Sequence, residues 1–254
     1  MKRLNKIFSS GRKALVIFDS CGAPDMANSE LRLETIIANG ADIVELGIPF
    51  SDPMADGPVI QRASLQALQA GATLSGILGM AGRLRRRHPE TGLVVFGYYN
   101  IFLQYGIAAL FRRLRELEID GILIVDLPYE ERNEVLPDAR ANGISLIPLI
   151  GPSTEVERAR KLTADADGFV YCINARGVTG ERAELPPELA GRLDALRRVS
   201  PAPVAAGFGI ADAASAAAVA KHADAVVVGS AAVKLPLSEL GPFIRSLKAA
   251  LTDR

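Results

Sequence analysis

Eight short apolar segments recur along the chain, and a stretch with helical spacing follows each of them. The segments are nearly continuous in Val, Ile, Leu and Ala and do not alternate with polar residues, which is typical of parallel strands buried on both faces. Their predicted bounds are 14–18, 42–46, 93–98, 121–125, 145–149, 168–173, 203–206 and 225–228. Eight units in 254 residues give about 30 residues each, the size of a β-α repeat.

This repeat predicts an α/β fold in which residues 1–254 form one domain, a single (β/α)8 TIM barrel. A doubly wound open sheet is the alternative, although such sheets usually have fewer strands. Helices are expected to begin near Ser29, Ser153 and Asp212, whose side chains suit N-caps. The longest irregular stretch, 175–187, follows the sixth strand, and a loop of this length in a compact barrel is typical of an active-site lid.

The composition excludes several classes of protein. The chain has 29 basic residues (Lys and Arg) and 29 acidic residues (Asp and Glu). It therefore lacks the basic excess of a nucleic-acid or membrane-surface binder. Neither a signal peptide nor an apolar run of about 18 residues is recognisable, which predicts a cytoplasmic protein.

The two cysteines, Cys21 and Cys172, are expected to be buried and reduced. The basic run at 83–87 is interpreted as a solvated helix end.

Glycine-rich turns end the last two predicted strands. Gly-Phe-Gly at 207–209 follows the seventh strand, and Gly-Ser at 229–230 follows the eighth, each directly before a helical segment. Barrels often bind phosphate through backbone N–H groups in these two loops, because glycine lets the backbone approach closely. The sequence therefore predicts a phosphate site here, with 177–180 as a further wall, and ordinary turns are the alternative.

Two acidic residues are candidates for proton transfer and charge stabilisation. Glu45 lies inside an apolar run near the end of the second strand and is expected to point into the barrel mouth, where burial would raise its pKa. A salt-bridged Glu facing the helices is the alternative. Asp56 lies on the loop after the same strand, with an Asx turn as the alternative. Asp52 and Asp126 also follow strands and are weaker candidates.

The positions of the histidines and lysines limit the reactions that the chain can catalyse. The only histidines, His88 and His222, lie at predicted helix ends away from the mouth, and no lysine lies within a predicted strand. A metal site, a histidine base and a Schiff-base aldolase are therefore disfavoured. The carbon–carbon cleavage that remains is one in which the substrate supplies its own electron sink, as an indole ring does when C3 is protonated.

At this point the motifs indicate a family. Segment 45–58 reads ELGIPFSDPMADGP and closely resembles the signature of tryptophan synthase α subunits. YYN at 98–100, GVTG at 177–180, GFGI at 207–210 and VGSA at 228–231 follow in the order and spacing of that family. The resemblance covers nearly the whole chain, and the segment after the second strand is its most specific part. It implies cleavage of indole-3-glycerol phosphate to indole and glyceraldehyde 3-phosphate in tryptophan biosynthesis.

The resemblance also implies roles for individual residues. Glu45 matches the family's catalytic acid/base, Asp56 matches the aspartate that holds the indole N–H, and Tyr171 matches a tyrosine near the active site. The positions that match the family's substrate contacts are Phe18, Leu123, Leu149 and Phe208 around the indole, Gly180, Gly209, Gly229 and Ser230 around the phosphate, and Thr179 in the lid.

The resemblance further implies a partner, a β subunit in an αββα complex, and the segment Pro49, Asp52 and Pro53 matches the loop that faces it. The β subunit would bind pyridoxal phosphate, so no cofactor or metal is expected in this chain. Two segments differ from the family's usual sequence. Residues 22–24 read Gly-Ala-Pro in place of Gly-Asp-Pro, and 174–176 read Asn-Ala-Arg in place of small hydroxyl residues.

Unrelated phosphate-binding barrels, such as triose or ribose isomerases, would usually show catalytic Lys, His or Asp residues at other strands, which are missing here. Two other functions stay open at this point. One is a stand-alone relative that releases free indole. The other is a weakly catalytic barrel that binds phosphate ligands and activates a β partner, although the presence of both Glu45 and Asp56 disfavours it.

Overall fold

The computed structural model describes residues 2–173, 185–207 and 209–252, and its strands and helices alternate along the chain. The strands are β1 Ala14–Ser20, β2 Ile43–Gly47, β3 Gly92–Gly97, β4 Gly121–Ile124, β5 Ser145–Leu146, β6 Leu149–Ile150, β7 Val170–Ile173, β8 Val204–Gly207 and β9 Ala225–Val228. The helices are α1 Arg3–Phe8, α2 Met26–Ala38, α3 Pro58–Gln69, α4 Leu74–Arg87, α5 Tyr99–Tyr105, α6 Ile107–Glu116, α7 Leu136–Asn142, α8 Val156–Thr163, α9 Pro187–Val199, α10 Ala213–Ala220, α11 Ser230–Val233 and α12 Leu237–Thr252, with a 3-10 turn at Arg132–Glu134.

The strands form one parallel sheet in the order β5-β4-β3-β2-β1-β9-β8-β7-β6. The two ends of this order, β5 and β6, are consecutive in the chain. Between them, the N–H of Ile147 donates to the carbonyl of Ile122 at 2.9 Å, and the carbonyl of Pro148 accepts the N–H of Tyr171 at 2.9 Å. Residues 145–150 therefore act as one barrel strand that bonds to both neighbours, and the predicted TIM barrel is confirmed.

The predicted strands agree with the observed ones to within two residues at each end, and two of the differences have a clear structural cause. The fifth, predicted as 145–149, divides into β5 and β6 because Pro148 has no N–H to donate to the ladder. The first extends two residues further than predicted, since Asp19 and Ser20 stay buried and pair with Leu46 and Gly47 of β2.

Side chains alternate between two apolar layers, as the pleat of a strand requires. The layer inside the barrel comprises Leu4, Ala14, Val16, Ile43, Val94, Leu123, Ile147, Phe169, Ala205, Ala225 and Val227. The outer layer packs the opposite strand faces, including Leu15, Val44 and Val226, against the helices. Ile43 belongs to the inner layer, so Glu45, two residues further along β2, faces the same interior.

One of the three predicted helix caps is confirmed and two are wrong. Asp212 caps α10 in a capping box. The cap of α2 is Asp25, because the hydroxyl of Ser29 is buried and accepts a backbone N–H from the loop after β1. The residue that precedes α8 is Glu155 and not Ser153.

The interpretation of 83–87 as a solvated helix end is wrong for one residue. Arg85 is only 4% exposed. Its Nη2 donates to Asp120 at 2.6 Å. Its other N–H groups donate to the carbonyls of His88, Pro89, Thr91 and Glu118. A buried charge is tolerated only when it is paired and fully hydrogen-bonded. The guanidinium group of Arg85 meets this condition and links the amino ends of β3 and β4.

The predictions for the segment 175–187, the cysteines and membrane-spanning helices have the following outcomes. Of the predicted lid, 175–187, the residues up to 184 lie outside the described part of the chain, and α9 begins at Pro187. Cys21 and Cys172 are buried free thiols, as predicted. Within the described ranges, no helix has the length and hydropathy that a membrane crossing requires.

We expect Gly47→Ala to destabilise the fold. A Cβ at Gly47 would lie 2.4 Å from Cζ of Phe18 and 2.9 Å from the carbonyl oxygen of Asp19, and overpacking of this kind costs roughly 1–3 kcal/mol. Chemical denaturation measures the loss. Gly191→Ala, in open space within α9, is the control and should stabilise the protein by about 0.5–1 kcal/mol. Equal stability of the parent and Gly47→Ala would contradict the packing.

Candidate active site

Glu45 lies at the centre of the candidate site. Its β2 position is in register with Phe18 on β1 and Val94 on β3, and its side chain is 0% exposed. Neither carboxyl oxygen has a hydrogen-bond partner among the described residues. Burial raises the pKa of Glu45 to about 8. The group is therefore protonated near neutral pH and can give up its proton to a substrate base.

Asp56 lies partly buried on the loop between β2 and α3. The hydroxyl of Tyr98 donates to Oδ2 of Asp56 at 2.9 Å and accepts the N–H of Ala55 at 3.1 Å. Burial raises the pKa of Asp56, and the bond from Tyr98 opposes that rise. The Asx-turn alternative predicted a locally bonded side chain, whereas this carboxylate is held by a tyrosine that directly follows β3.

Tyr98 is a site residue that the sequence reasoning missed, apart from its place in the YYN motif. It is 3% exposed, and its ring stacks on Phe50 with centroids 5.0 Å apart and planes at 28°. Burial raises the pKa of Tyr98 above its usual value, and the nearby charge of Asp56 adds to the rise. The hydroxyl therefore stays protonated and remains a donor to Asp56.

Tyr171 projects into the interior from β7. A Cβ on Gly207 would lie 2.6 Å from the hydroxyl oxygen of Tyr171, so the glycine makes room for the phenol. Burial raises the pKa of Tyr171, and the charges of Glu45 and Asp56 raise it further. The three predicted catalytic side chains therefore face one common space.

Apolar side chains form a wall beside these groups. Phe18 is 6% exposed, and its ring meets that of Phe96 edge-on, with centroids 5.0 Å apart and planes at 74°. Leu123 is fully buried in the inner layer, and Leu149 packs against that layer. Phe18, Leu123 and Leu149 therefore all lie at the inner layer of the barrel, to which Phe96 adds a ring that the sequence reasoning missed.

Three of the predicted phosphate-binding residues lie near the same end of the barrel. Gly209 follows β8 with φ +67°, a conformation that favours glycine. Gly229 follows β9, and Ser230 is the first residue of α11. A Cβ on Gly229 would lie 3.7 Å from Cβ of Phe18, which places this turn beside the apolar wall. Of the remaining predicted contacts, Phe208, Thr179 and Gly180 lie outside the described residues.

The weaker candidates have other partners or are exposed. Asp126 accepts the N–H of Tyr99 at 2.7 Å, and Asp52 is exposed. His222 contacts Asp194 at 3.1 Å just before β9, at the opposite end of the barrel, and His88 ends α4. Within the ranges that the structure describes, no group of His, Cys, Asp and Glu side chains is arranged to hold a metal ion.

Glu45 also predicts a pH dependence of stability. Its folded pKa of about 8 lies above the ordinary 4.5, so the folded state holds a proton that the unfolded state has lost. The free energy of unfolding should therefore fall as pH rises from about 4.5 to 8, by roughly 5 kcal/mol in total. Glu45→Gln keeps the shape without titrating, so it should match the parent at pH 5 and exceed its stability at pH 8.5.

Urea denaturation of the parent and Glu45→Gln at both pH values measures this difference, and all other titrating groups cancel in the comparison. A difference that does not change with pH would contradict the raised pKa.

Comparisons with known proteins agree with this geometry. The model of the family described as "Tryptophan synthase alpha chain" matches residues 4–240. The chain is 40% identical over 263 residues to the tryptophan synthase alpha chain of Burkholderia mallei, covering 99% of this chain and 97% of that one. It is 43% identical over 248 residues to that of Geobacter sulfurreducens, covering 96% and 94%.

A solved structure gives the same result. The structure of Mycobacterium tuberculosis tryptophan synthase contains a chain that superposes with a TM-score of 0.91 at 33% identity, covering 100% of this chain and 99% of that one. The chain thus belongs to the tryptophan synthase alpha chain family, whose members cleave indole-3-glycerol phosphate to indole and glyceraldehyde 3-phosphate.

Proposed function

We propose that this chain cleaves indole-3-glycerol phosphate by a retro-aldol reaction in which Glu45 is the acid and base. The observation that carries the proposal is the buried carboxyl of Glu45, which has no partner among the described residues and has a pKa of about 8. A proton held in this way is available to a carbon base, because no competing hydrogen bond has to be broken first.

The reaction balances with this single carboxyl group. Glu45 gives its proton to C3 of the indole, and the ring becomes a cation that draws electrons from the bond to the glycerol carbon. The carboxylate of Glu45 then takes the proton from the hydroxyl on that carbon. The carbon–carbon bond breaks, its electrons restore the aromatic ring, and indole and glyceraldehyde 3-phosphate leave with Glu45 protonated again.

Asp56 has the complementary role in this proposal. Its carboxylate accepts the indole N–H and stabilises the positive ring, and electrostatic stabilisation of this kind contributes a few kcal/mol, on the order of 3. The hydroxyl of Tyr98, 2.9 Å away, supports the role by holding the carboxylate in place. Tyr171 faces the same space and contacts the reacting part of the substrate.

The remaining site residues bind the two ends of the substrate. The indole lies against Phe18, Leu123, Leu149 and Phe208, and the phosphate is held by Gly180, Gly209, Gly229 and Ser230, with Thr179 closing over the site. The proximity of Gly229 to Phe18 supports a ligand that spans both regions.

The chain acts as one domain and as the α subunit of an αββα complex, in which the β subunit carries the pyridoxal phosphate and uses the indole. The loop of Pro49, Asp52 and Pro53 faces that partner. Met54 in the same loop is 87% exposed, and so large an exposed apolar side chain fits a contact surface. The buried free thiols fit the reducing cytoplasm, where we place the protein.

Indole release from indole-3-glycerol phosphate tests the function, measured with and without a tryptophan synthase β subunit. We expect a low rate that rises strongly with β. A high rate that β does not change would mean a stand-alone indole producer. No release in either condition would reject the lyase and favour a phosphate-binding activator.

Substitutions test the two carboxyl groups in the same assay. Glu45→Gln should reduce indole release by at least about a thousandfold while the fold is kept, since the proton is lost and the shape is not. Asp56→Asn should reduce it by about a hundredfold. Asp52→Asn, on the same loop but exposed, is the control for assays of the chain alone. Full turnover in Glu45→Gln would refute its role.

We expect Tyr98→Phe to lower kcat/KM by about tenfold, because Asp56 loses the hydrogen bond that orients it while the ring stack on Phe50 is kept. Tyr99→Phe is a matched control, since the hydroxyl of Tyr99 bonds to Glu134 on the surface. Equal kinetics for the two variants would show that Tyr98 does not position Asp56.

A further inference from the structure

A buried arginine outside the candidate site contacts the helix that carries two of the proposed phosphate-binding residues. Arg32 on α2 and Asp19 on β1 are both buried, with side chains 11% and 2% exposed. Nε of Arg32 donates to Oδ2 of Asp19 at 2.9 Å, and Nη2 donates to Oδ1 at 3.1 Å. This two-point contact fixes the plane of the guanidinium group.

The same guanidinium binds the backbone of the segment after β9. Nη1 of Arg32 donates to the carbonyl of Leu235 at 2.7 Å, and Nη2 donates to that of Ala232 at 3.0 Å. These carbonyls lie at the carboxyl end of α11, where a helix has acceptors without intrahelical donors and favours a cation. Arg32 therefore joins α11 to β1 and α2 through four hydrogen bonds.

The position of α11 depends on such external contacts. The helix comprises the four residues Ser230–Val233, and a single turn is too short to be stable by itself. Its length is only about 6 Å, so a shift at the end held by Arg32 also displaces Gly229 and Ser230 at the other end.

The energetics favour positioning over stability as the reason for this ion pair. Burying two charges costs desolvation energy, and well-packed apolar residues of similar size are often equally stabilising. An apolar pair, however, offers no donors to Ala232 and Leu235. Asp19 also directly follows Phe18, so the pair connects the apolar wall to the phosphate end of the site.

We propose that Arg32, oriented by Asp19, is a positioning residue that places Gly229 and Ser230 for the phosphate group of the substrate. The inference rests on the proposed function, in which those two residues hold the phosphate. Arg32 acts through α11 and does not itself contact the substrate.

Arg32→Lys is the decisive variant. It keeps a positive charge for Asp19, but one ammonium group cannot reproduce the planar set of four bonds. We expect KM for indole-3-glycerol phosphate to rise by about tenfold, with kcat changed by less than about threefold. Inorganic phosphate, titrated calorimetrically into the purified protein, should bind correspondingly more weakly, while competitive inhibition by indole should be unchanged.

Two further variants control for general destabilisation. Arg85→Lys alters a buried arginine that also binds a carboxylate and several carbonyls, but at the amino ends of the strands. It should lower the thermal midpoint without changing KM. The double variant Asp19→Val with Arg32→Met removes both charges, so no unpaired charge is buried. It should fold and show the same rise in KM.

The results separate this inference from the proposed function. Unchanged KM and phosphate affinity in Arg32→Lys and in the double variant, with only the thermal midpoint lowered, would reduce Arg32 to a structural residue. A parent protein that binds phosphate without cleaving the substrate would reject the lyase. Weaker phosphate binding in Arg32→Lys would still support the positioning role in that case. A parent that neither binds phosphate nor cleaves the substrate would overturn both.

Discussion

Closure of the parallel sheet through residues 145–150 decides where every other side chain of the barrel points. A closed sheet has an inner and an outer face, and successive residues of a strand alternate between them. The strand that closes the ring contains Pro148, and its two halves bond to β4 and β7 respectively. Because the ring is complete, Ile43 and Glu45 share the barrel interior, and the carboxyl group of Glu45 is buried beside the apolar inner layer.

The closed apolar interior makes the charged form of Glu45 unfavourable. A charged carboxylate without partners is expensive in a low-dielectric interior, so the protein keeps the group protonated instead. Burial raises its pKa to about 8, and stability at neutral pH is given up to keep a transferable proton. Asp56 is less buried and accepts a hydrogen bond from Tyr98, which favours its charged form. Different environments thus give two carboxyl groups of one site different chemistry.

The sequence predicted the features that depend on local patterns. Continuous apolar runs indicated buried parallel strands, and an acidic residue inside one of them indicated Glu45. Pairings between distant residues leave no such pattern. Arg85 belongs to a basic run that looks solvated, yet its partner Asp120 lies 35 residues away. The contact between Tyr98 and Asp56 spans 42 residues, so it became visible only when β3 and the loop after β2 were placed side by side.

Because side chains alternate between the two faces of β1, the same strand contributes one residue to the candidate site and the next residue to the contact with Arg32. Phe18 and Asp19 are neighbours in β1, but the first faces the interior and the second faces α2. The inner position is available to the substrate, while the outer position anchors Arg32 and, through it, α11. The two faces need opposite electrostatics. Glu45 must lack partners to keep its proton, whereas Arg32 must satisfy its donors to hold a helix of a single turn. The register of β1 places both Phe18 and Asp19. A shift of one residue in this strand would therefore remove Phe18 from the apolar wall and Asp19 from its contact with Arg32.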